Sequence, residues 1–208
     1  MTNNLIDLES VEYFTLSPNW SSNPQTSLAA LRRLISFPGT SDVVQSIGLS
    51  PILSFSQKYL LKTKAEINEF YEFMQRVKGR WGRFWIRHPY SFFTLKTSTG
   101  IGAVTIYVER NQFDWIFQGY ERIYIQQSDG SIITRLLTDV VENVLLDRLE
   151  LTFGTQLDRP ILKTDKIILG RLLLVRLDSD EIQLSMISQT LAEVGIKVVE
   201  VIKDYEDI

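Results

Sequence analysis

One segment of the chain repeats its apolar residues with the period of an α-helix. The apolar residues that recur at spacings of three and four are Ile67, Phe70, Tyr71, Met74 and Val77. This spacing places them on one helical face. Thr63, followed three residues later by Glu66, fits a capping box, and Gly79 suits the left-handed position that ends a helix. The pattern therefore predicts a helix over about 64–77.

Most other apolar segments are short and rich in β-branched or aromatic residues, which favours strands. The predicted strands are 11–16, 28–35, 52–60, 104–108, 121–126, 132–138, 149–153, 171–177, 181–187 and 196–202. Turn-forming residues separate them: Asp129-Gly130 favours a tight hairpin, and residues 17–24 form a polar loop between prolines. Asp178, Asp180 and Glu181 lie between two strands, where they favour an Asp-rich turn over a pair of catalytic carboxylates.

These elements predict a mainly β fold with a minor α contribution. We expect an antiparallel β core with one packed helix and an inserted β-barrel-like module. The core comprises residues 1–95 together with 166–208, and the module comprises 96–165. Gly, Pro and polar residues mark 97–102 and 159–165 as candidate hinges.

Composition narrows the classes of function. The net charge of −3 provides no overall positive field for DNA or an anionic membrane. The absence of cysteine excludes disulfides and thiolate chemistry, and the single histidine excludes a site built from several histidines. We expect no secretory signal, no membrane anchor and folding in a cytoplasm, because the first residues lack a charged and apolar leader.

No motif of a catalytic or cofactor site is present. His88 lacks a G-x-S-x-G nucleophile motif elsewhere in the chain, and we expect it to be a loop residue before Pro89. "GIG" at 100–102 is too short for a dinucleotide fingerprint, and no Walker sequence occurs. The sequence predicts a protein that is not an enzyme and that has no catalytic residues, cofactor or metal.

The densest group of basic and aromatic residues is "VKGRWGRFWIRHP" at 77–89. The candidate interface or structural residues within it are Lys78, Gly79, Arg80, Trp81, Arg83, Phe84 and Trp85. Three interpretations stay open: packing in the core, a protein interface rich in arginine and tryptophan, and, with Arg87, a nucleic-acid surface. We expect Trp81 and Trp85 to anchor the turn after the helix while the surrounding charges form subunit contacts.

Several segments, in their order along the chain, resemble the distal tail proteins, minor tail proteins at the tail tip of long-tailed bacteriophages. They are "EYFTLSPNW" at 12–20, the stretch from "SFSQKYLL" to "GRFWI" at 54–86, and the ending at 171–202. The resemblance includes three features of the family pattern. The family's helix corresponds to the one that contains Phe70, Phe73 and Met74. Its basic turn corresponds to Lys78-Gly79-Arg80, and its aromatic pair corresponds to Phe84-Trp85. Residues 86–93, "IRHPYSFF", depart from the family pattern.

The resemblance implies a structural protein of the virion tail that performs no catalysis. Relatives of this kind form rings, often hexameric, around the tail channel. The expected partners are other copies of the chain, the tail tube protein and the baseplate hub proteins, with DNA only passing through the channel. The chain would assemble in the host cytoplasm and reside in the virion tail.

Other functions remain as alternatives. Within the tail, a trimeric baseplate hub component also combines β modules with a helix. A nucleic-acid-binding β module would use residues 78–87 and lose affinity steeply with salt. A carbohydrate-binding module would stack exposed tryptophans on sugar rings.

Overall fold

The computed structural model describes residues 11–19, 21, 24–29, 32–35, 43–46, 52–110 and 122–201. Within them, one α-helix, α1 (Lys64–Val77), is followed by a 3-10 turn at Gly79–Trp81. The strands are β1 (Gln25–Ala29), β2 (Arg32–Ile35), β3 (Val43–Ser46), β4 (Ile52–Leu61), β5 (Arg83–Phe93), β6 (Thr105–Glu109), β7 (Arg122–Gln126), β8 (Ile132–Asn143), β9 (Arg148–Phe153), β10 (Ile168–Leu177), β11 (Leu184–Met186) and β12 (Ala192–Glu200). The mainly antiparallel β fold with one helix is thus confirmed.

The predicted helix over 64–77 is confirmed at both ends. The hydroxyl of Thr63 accepts a hydrogen bond of 3.1 Å from the backbone N–H of Glu66. The Glu66 carboxylate accepts one of 2.5 Å from the N–H of Lys62, one residue before the cap. The first bond satisfies a donor that the first turn leaves without a helical partner, as in a capping box. The second ties Glu66 to the residue before the cap instead of to the Thr63 N–H that a capping box uses.

The buried face of α1 differs from the predicted one at three positions: Phe73 is buried, Met74 is half-buried and Tyr71 is exposed. Its buried residues are Ile67, Phe70, Phe73 and Val77. Tyr71 is 50% exposed and does not belong to this face. Consecutive residues are about 100° apart around a helix, so Tyr71 is rotated away from Phe70, while Phe73 and Val77 follow at spacings of three and four.

The chain forms two compact units, and the first contains the helix. This helix unit comprises the described residues of Glu12–Trp85 and Leu174–Ile208. Its strands pair in the order β1–β4–β12–β10. Only the end of β10, from Leu174 onward, belongs to this unit, and Val175–Leu177 pair with β12. The short strand β11 also pairs with β12. The longest pairing joins β4 to β12, antiparallel from Leu61↔Ala192 to Ser54↔Val199. Alternate residues on both strands are buried, the pattern of a strand with one face in the core.

The second compact unit contains the hairpins β7–β8 and β8–β9. This hairpin unit comprises Val11 and the described residues of Ile86–Leu173. Its strands pair in the order β10–β7–β8–β9–β6, all antiparallel. The apolar core it encloses consists of Leu95, Ile106, Val108, Ile123, Ile125, Ile133, Leu137, Leu151, Phe153, Leu157, Ile161 and Leu169. The predicted tight hairpin is confirmed, since Gly130 has φ 83° and the Gln127 N–H donates to the Ser131 carbonyl at 2.9 Å.

The expectation of a β-barrel-like module is wrong, because the sheet does not close into a barrel in the described part of the chain. The strands at the ends of the hairpin unit's order, β6 and β10, do not pair with each other there. The outer edge of β6 instead pairs with a short extended segment. The Lys96 N–H donates to the Tyr107 carbonyl at 2.8 Å, and the Glu109 N–H donates to the Thr94 carbonyl at 2.8 Å.

The unit boundaries fall at 85/86 and 173/174, inside β5 and β10. The candidate hinges at 97–102 and 159–165 both lie inside the hairpin unit, where Thr99 and Ile161 exchange two backbone hydrogen bonds of 2.8 Å. Whether 96–165 is an inserted module between the ends of a core stays a prediction.

Some predicted strands change in the structure. Residues 11–16 provide one bridge, from Tyr13 to Trp85, and 28–35 is divided between β1 and β2. Some residues of predicted elements lie outside the described residues: Trp20, Ser22, Asn23, Ala30, Leu31, Glu121 and Ile202. β3 and β5 were not predicted, and β5 contains His88, so the expectation that His88 is a loop residue is wrong.

Candidate interaction site

The turn after α1 is built from two consecutive residues in the left-handed conformation. Lys78 has φ 56° and ψ 44°, and its backbone N–H donates to the Met74 carbonyl at 3.2 Å, which ends the helix. Gly79 follows with φ 67°. The left-handed end of the helix therefore begins one residue earlier than predicted. We call residues 78–83 the basic turn.

The basic turn is fixed by Asp180, which lies between β10 and β11. The backbone N–H of Arg80 donates to Asp180 Oδ1 at 2.7 Å. The positive φ of Gly79 favours glycine, and a Cβ there would also displace the same carboxylate.

Gly82, the next-to-last residue of the basic turn, must be glycine for a steric reason alone. Its φ of −83° is available to any residue, so no conformational need for glycine exists here. A Cβ at this position would overlap the carbonyl of Val77, the last residue of α1. The chain passes so close to the helix end that only glycine fits.

The two tryptophans of this segment have opposite environments. Trp85 is 1% exposed and lies in β5, whereas Trp81 is 90% exposed at the top of the 3-10 turn. The expectation that both anchor the turn is therefore wrong for Trp81. Trp81 presents almost its whole indole to solvent on a turn that Gly79, Gly82 and Asp180 fix in place.

The aromatic pair Phe84-Trp85 belongs to the core of the helix unit. Phe84 packs edge-on against Phe73 with ring centroids 5.3 Å apart. Phe14 lies at the centre of this aromatic cluster, with centroids 4.8 Å from Phe73 and 5.0 Å from Tyr59. The backbone of Phe14 is fixed as well, because its N–H donates to the Trp85 carbonyl at 2.8 Å. The aromatic residues that carry the resemblance to tail-tip proteins thus pack largely against one another.

The charged residues of the segment divide in the same way. Lys78 and Arg80 are exposed, and Arg83 is half-buried. Arg87 is buried, with its guanidinium 4.9 Å from the centre of the Tyr124 ring and 3.3 Å from Gln126 Oε1. Arg87 is therefore not part of an exposed basic surface.

His88 is half-buried in β5. Burial, together with the positive charge of Arg171, lowers the pKa of its imidazole to about 4. The imidazole is therefore uncharged near neutral pH.

The segment between β10 and β11 differs from the predicted Asp-rich hairpin turn, because β11 pairs with β12 and the Asp side chains bind distant residues instead of the local backbone. Ser179 makes the local contact, accepting the Glu181 N–H at 3.1 Å. Asp178 pairs with Lys197 of β12 at 2.6 Å, and Asp180 holds the basic turn. The carboxylates act as structural acceptors for neighbouring elements.

A cleft of about 440 Å³ lies beside α1 in the helix unit. Its apolar lining consists of Phe70, Tyr71, Met74, Leu177, Ile182 and Leu184. Gly79 of the basic turn and Asp180 complete its wall. We call this feature the helix cleft; the sequence contained no signal for it, because its walls come from distant segments.

The described residues contain no group of three His, Cys, Asp or Glu side chains placed to hold a metal ion. In the same part of the chain, no helix has the length and apolar character needed to cross a membrane. No protein-family model matches the chain, and no curated protein matches its sequence.

Proposed function

We propose that the chain is a structural protein of the tail tip of a long-tailed bacteriophage. It assembles with other copies of itself as a ring around the tail channel and joins the tail tube protein to the baseplate hub. In this role it is not an enzyme, needs no cofactor and resides in the virion tail. The order of the motifs at 12–20, 54–86 and 171–202 is what supports this family of functions.

The observation that carries an assembly role is the environment of Trp81. An indole that is 90% exposed lies between Arg80 and Gly82 on a turn held by Asp180. Tryptophan and arginine are the residues most enriched at the centres of protein interfaces. A rigid turn that presents both loses little conformational entropy on association.

The first experiment measures assembly with the purified chain. Light scattering after size exclusion should give a mass that is a multiple of 24.0 kDa, six-fold for a hexameric ring and three-fold for a trimeric hub. Trp81→Ala should weaken assembly by roughly 30-fold or more, as expected for a central interface residue. Leu28→Ala, which truncates another exposed apolar residue of the helix unit, is the control and should assemble normally.

The second experiment tests the location. An antibody against the purified chain should label the distal end of the tail in particles of the phage that encodes it. Particles that lack the chain, or labelling of the capsid alone, would overturn the proposal.

A nucleic-acid-binding surface is a second candidate, because Trp81 could stack on a base between the cations of Lys78 and Arg80. The burial of Arg87 removes one of the four basic residues that this alternative requires. Gel-shift titration of the wild-type chain and of Arg80→Ala/Arg83→Ala with single-stranded DNA would test it. Binding that falls with salt and disappears in the variant would favour this candidate over ring assembly.

A further inference from the structure

The end of the β8–β9 hairpin exposes three consecutive apolar residues. Val144, Leu145 and Leu146 form this apolar tip, and Leu145 is 97% exposed. The tip is an ordered turn, since the Leu146 N–H donates to Asn143 Oδ1 at 3.1 Å and the Asp147 N–H to the Val144 carbonyl at 3.3 Å. Contiguous exposed apolar residues of this kind mark interaction surfaces.

The hairpin that carries the apolar tip is acidic. Residues 139–150 contain four acidic side chains and one basic side chain, a net charge of −3. Lys96 pairs with Asp147, and Arg110 pairs with Glu142; including these two cations leaves a net charge of −1. An anionic membrane surface would repel such a hairpin, whereas a basic protein surface would attract it.

The helix cleft has the complementary properties. Most of its lining residues are apolar or aromatic, and it opens beside the basic turn, whose Gly79 forms part of its wall. Residues 76–83 contain four basic side chains and no acidic one. Arg76 is paired with Glu12 at 2.8 Å, while Lys78 and Arg80 are exposed cations beside the cleft. Asp180, also in the wall, is engaged by the Arg80 N–H.

We propose that the apolar tip of one copy of the chain inserts into the helix cleft of a second copy. The acidic hairpin then faces the basic turn, with Trp81 at the rim of the contact. This inference rests on the proposed function and names the partner that docks at the basic turn. The two surfaces differ, so the contact is heterologous and generates a ring when its rotation closes.

The first test compares two exposed apolar residues of the hairpin unit. Leu145→Asp places a carboxylate where the tip would enter the cleft, and it should weaken assembly by roughly 10- to 100-fold. Ile101→Asp, at a turn residue that is 70% exposed, is the matched control and should assemble like the wild type. Circular dichroism verifies that both variants fold. Equal assembly of Leu145→Asp and the wild type overturns the inference and leaves the tail-tip proposal intact.

The second test uses the absence of cysteine in the chain. Leu145→Cys and Tyr71→Cys proteins, purified separately and mixed, should form a disulfide-linked heterodimer under mild oxidation. A Leu145→Cys/Ile101→Cys mixture is the control and should remain unlinked. Homodimers of Leu145→Cys alone, or a monomeric wild type, overturn the inference. Tail labelling tests the proposed function independently, so failure of the contact and failure of the function are distinguishable.

Discussion

The backbone N–H of Arg80 donates a 2.7 Å hydrogen bond to the carboxylate of Asp180, which lies 100 residues later in the chain. This bond joins the basic turn after α1 to the loop between β10 and β11. Both segments also form the wall of the helix cleft. The geometry of the basic turn therefore depends on a residue that belongs to the last third of the sequence.

Removing the Asp180 carboxylate should loosen the basic turn. Asp180→Ala loses one charge-assisted hydrogen bond at an exposed position, so we expect the free energy of unfolding to fall by about 1 kcal/mol. Urea denaturation measures this change. Glu181→Ala, at the neighbouring exposed residue, is the control and should change the stability by less than about 0.5 kcal/mol. Equal stabilities for the two variants would contradict the structural role of Asp180.

Adding one methyl group at Gly82 should be strongly destabilising. The new Cβ of Gly82→Ala would overlap the backbone carbonyl of Val77, and backbone atoms cannot rotate away as a side chain can. We expect the free energy of unfolding to fall by about 2 kcal/mol or more. Gly100→Ala is the control, because nothing lies within 4 Å of the added carbon. Thermal unfolding of the two variants would show the difference, and a normal melting temperature for Gly82→Ala would rule out the close approach.

The aromatic cluster predicts a large difference between two residues of the same helix. Phe73 is 5% exposed and its ring packs against Phe14 and Phe84, so Phe73→Ala should lower the free energy of unfolding by roughly 3–5 kcal/mol. Tyr71 is 50% exposed, and Tyr71→Ala should lower it by less than about 1 kcal/mol. Both values come from denaturant unfolding at low protein concentration, where association does not contribute. A larger loss of unfolding free energy for Tyr71→Ala would mean that Tyr71 is buried against the core.

Local signals in the sequence were enough to predict α1. Its cap at Thr63 and the spacing of Ile67, Phe70 and Val77 involve residues within one or two turns of each other. β5 was missed for a physical reason: Phe84, Trp85, Ile86 and Arg87 are all buried, so the strand lacks the alternation by which strands are recognised. β5 also contains His88 and Pro89, and a proline within a segment argues against predicting a strand there.

The candidate site could be located from the sequence but not resolved into its parts. Composition singled out 78–85, where basic and aromatic residues are densest. Whether Trp81 or Trp85 is buried depends on the direction of the chain around Gly82, where the backbone passes close to the carbonyl of Val77. The role of Asp180 depends on a contact across 100 residues. No pattern within a short window contains either of these facts.

The half-buried imidazole of His88 should make stability depend on pH in the acidic range. Burial, reinforced by the charge of Arg171, lowers the pKa of His88 to about 4 in the folded chain, from the ordinary histidine pKa of 6.5 that applies when the chain is unfolded. The unfolded state therefore binds a proton more readily, so the contribution is fully present above pH 6.5 and is lost as the pH falls from 6.5 to 4. The total loss is roughly 3 kcal/mol, from the difference between the two pKa values.

Urea unfolding of the wild type and of His88→Asn between pH 7.5 and about 4 separates this effect from the carboxylates, which titrate in both proteins. The wild type should lose more stability than the variant over this interval, whatever their relative stabilities at neutral pH, whereas parallel curves would mean that His88 is charged as readily in the folded chain as in the unfolded one.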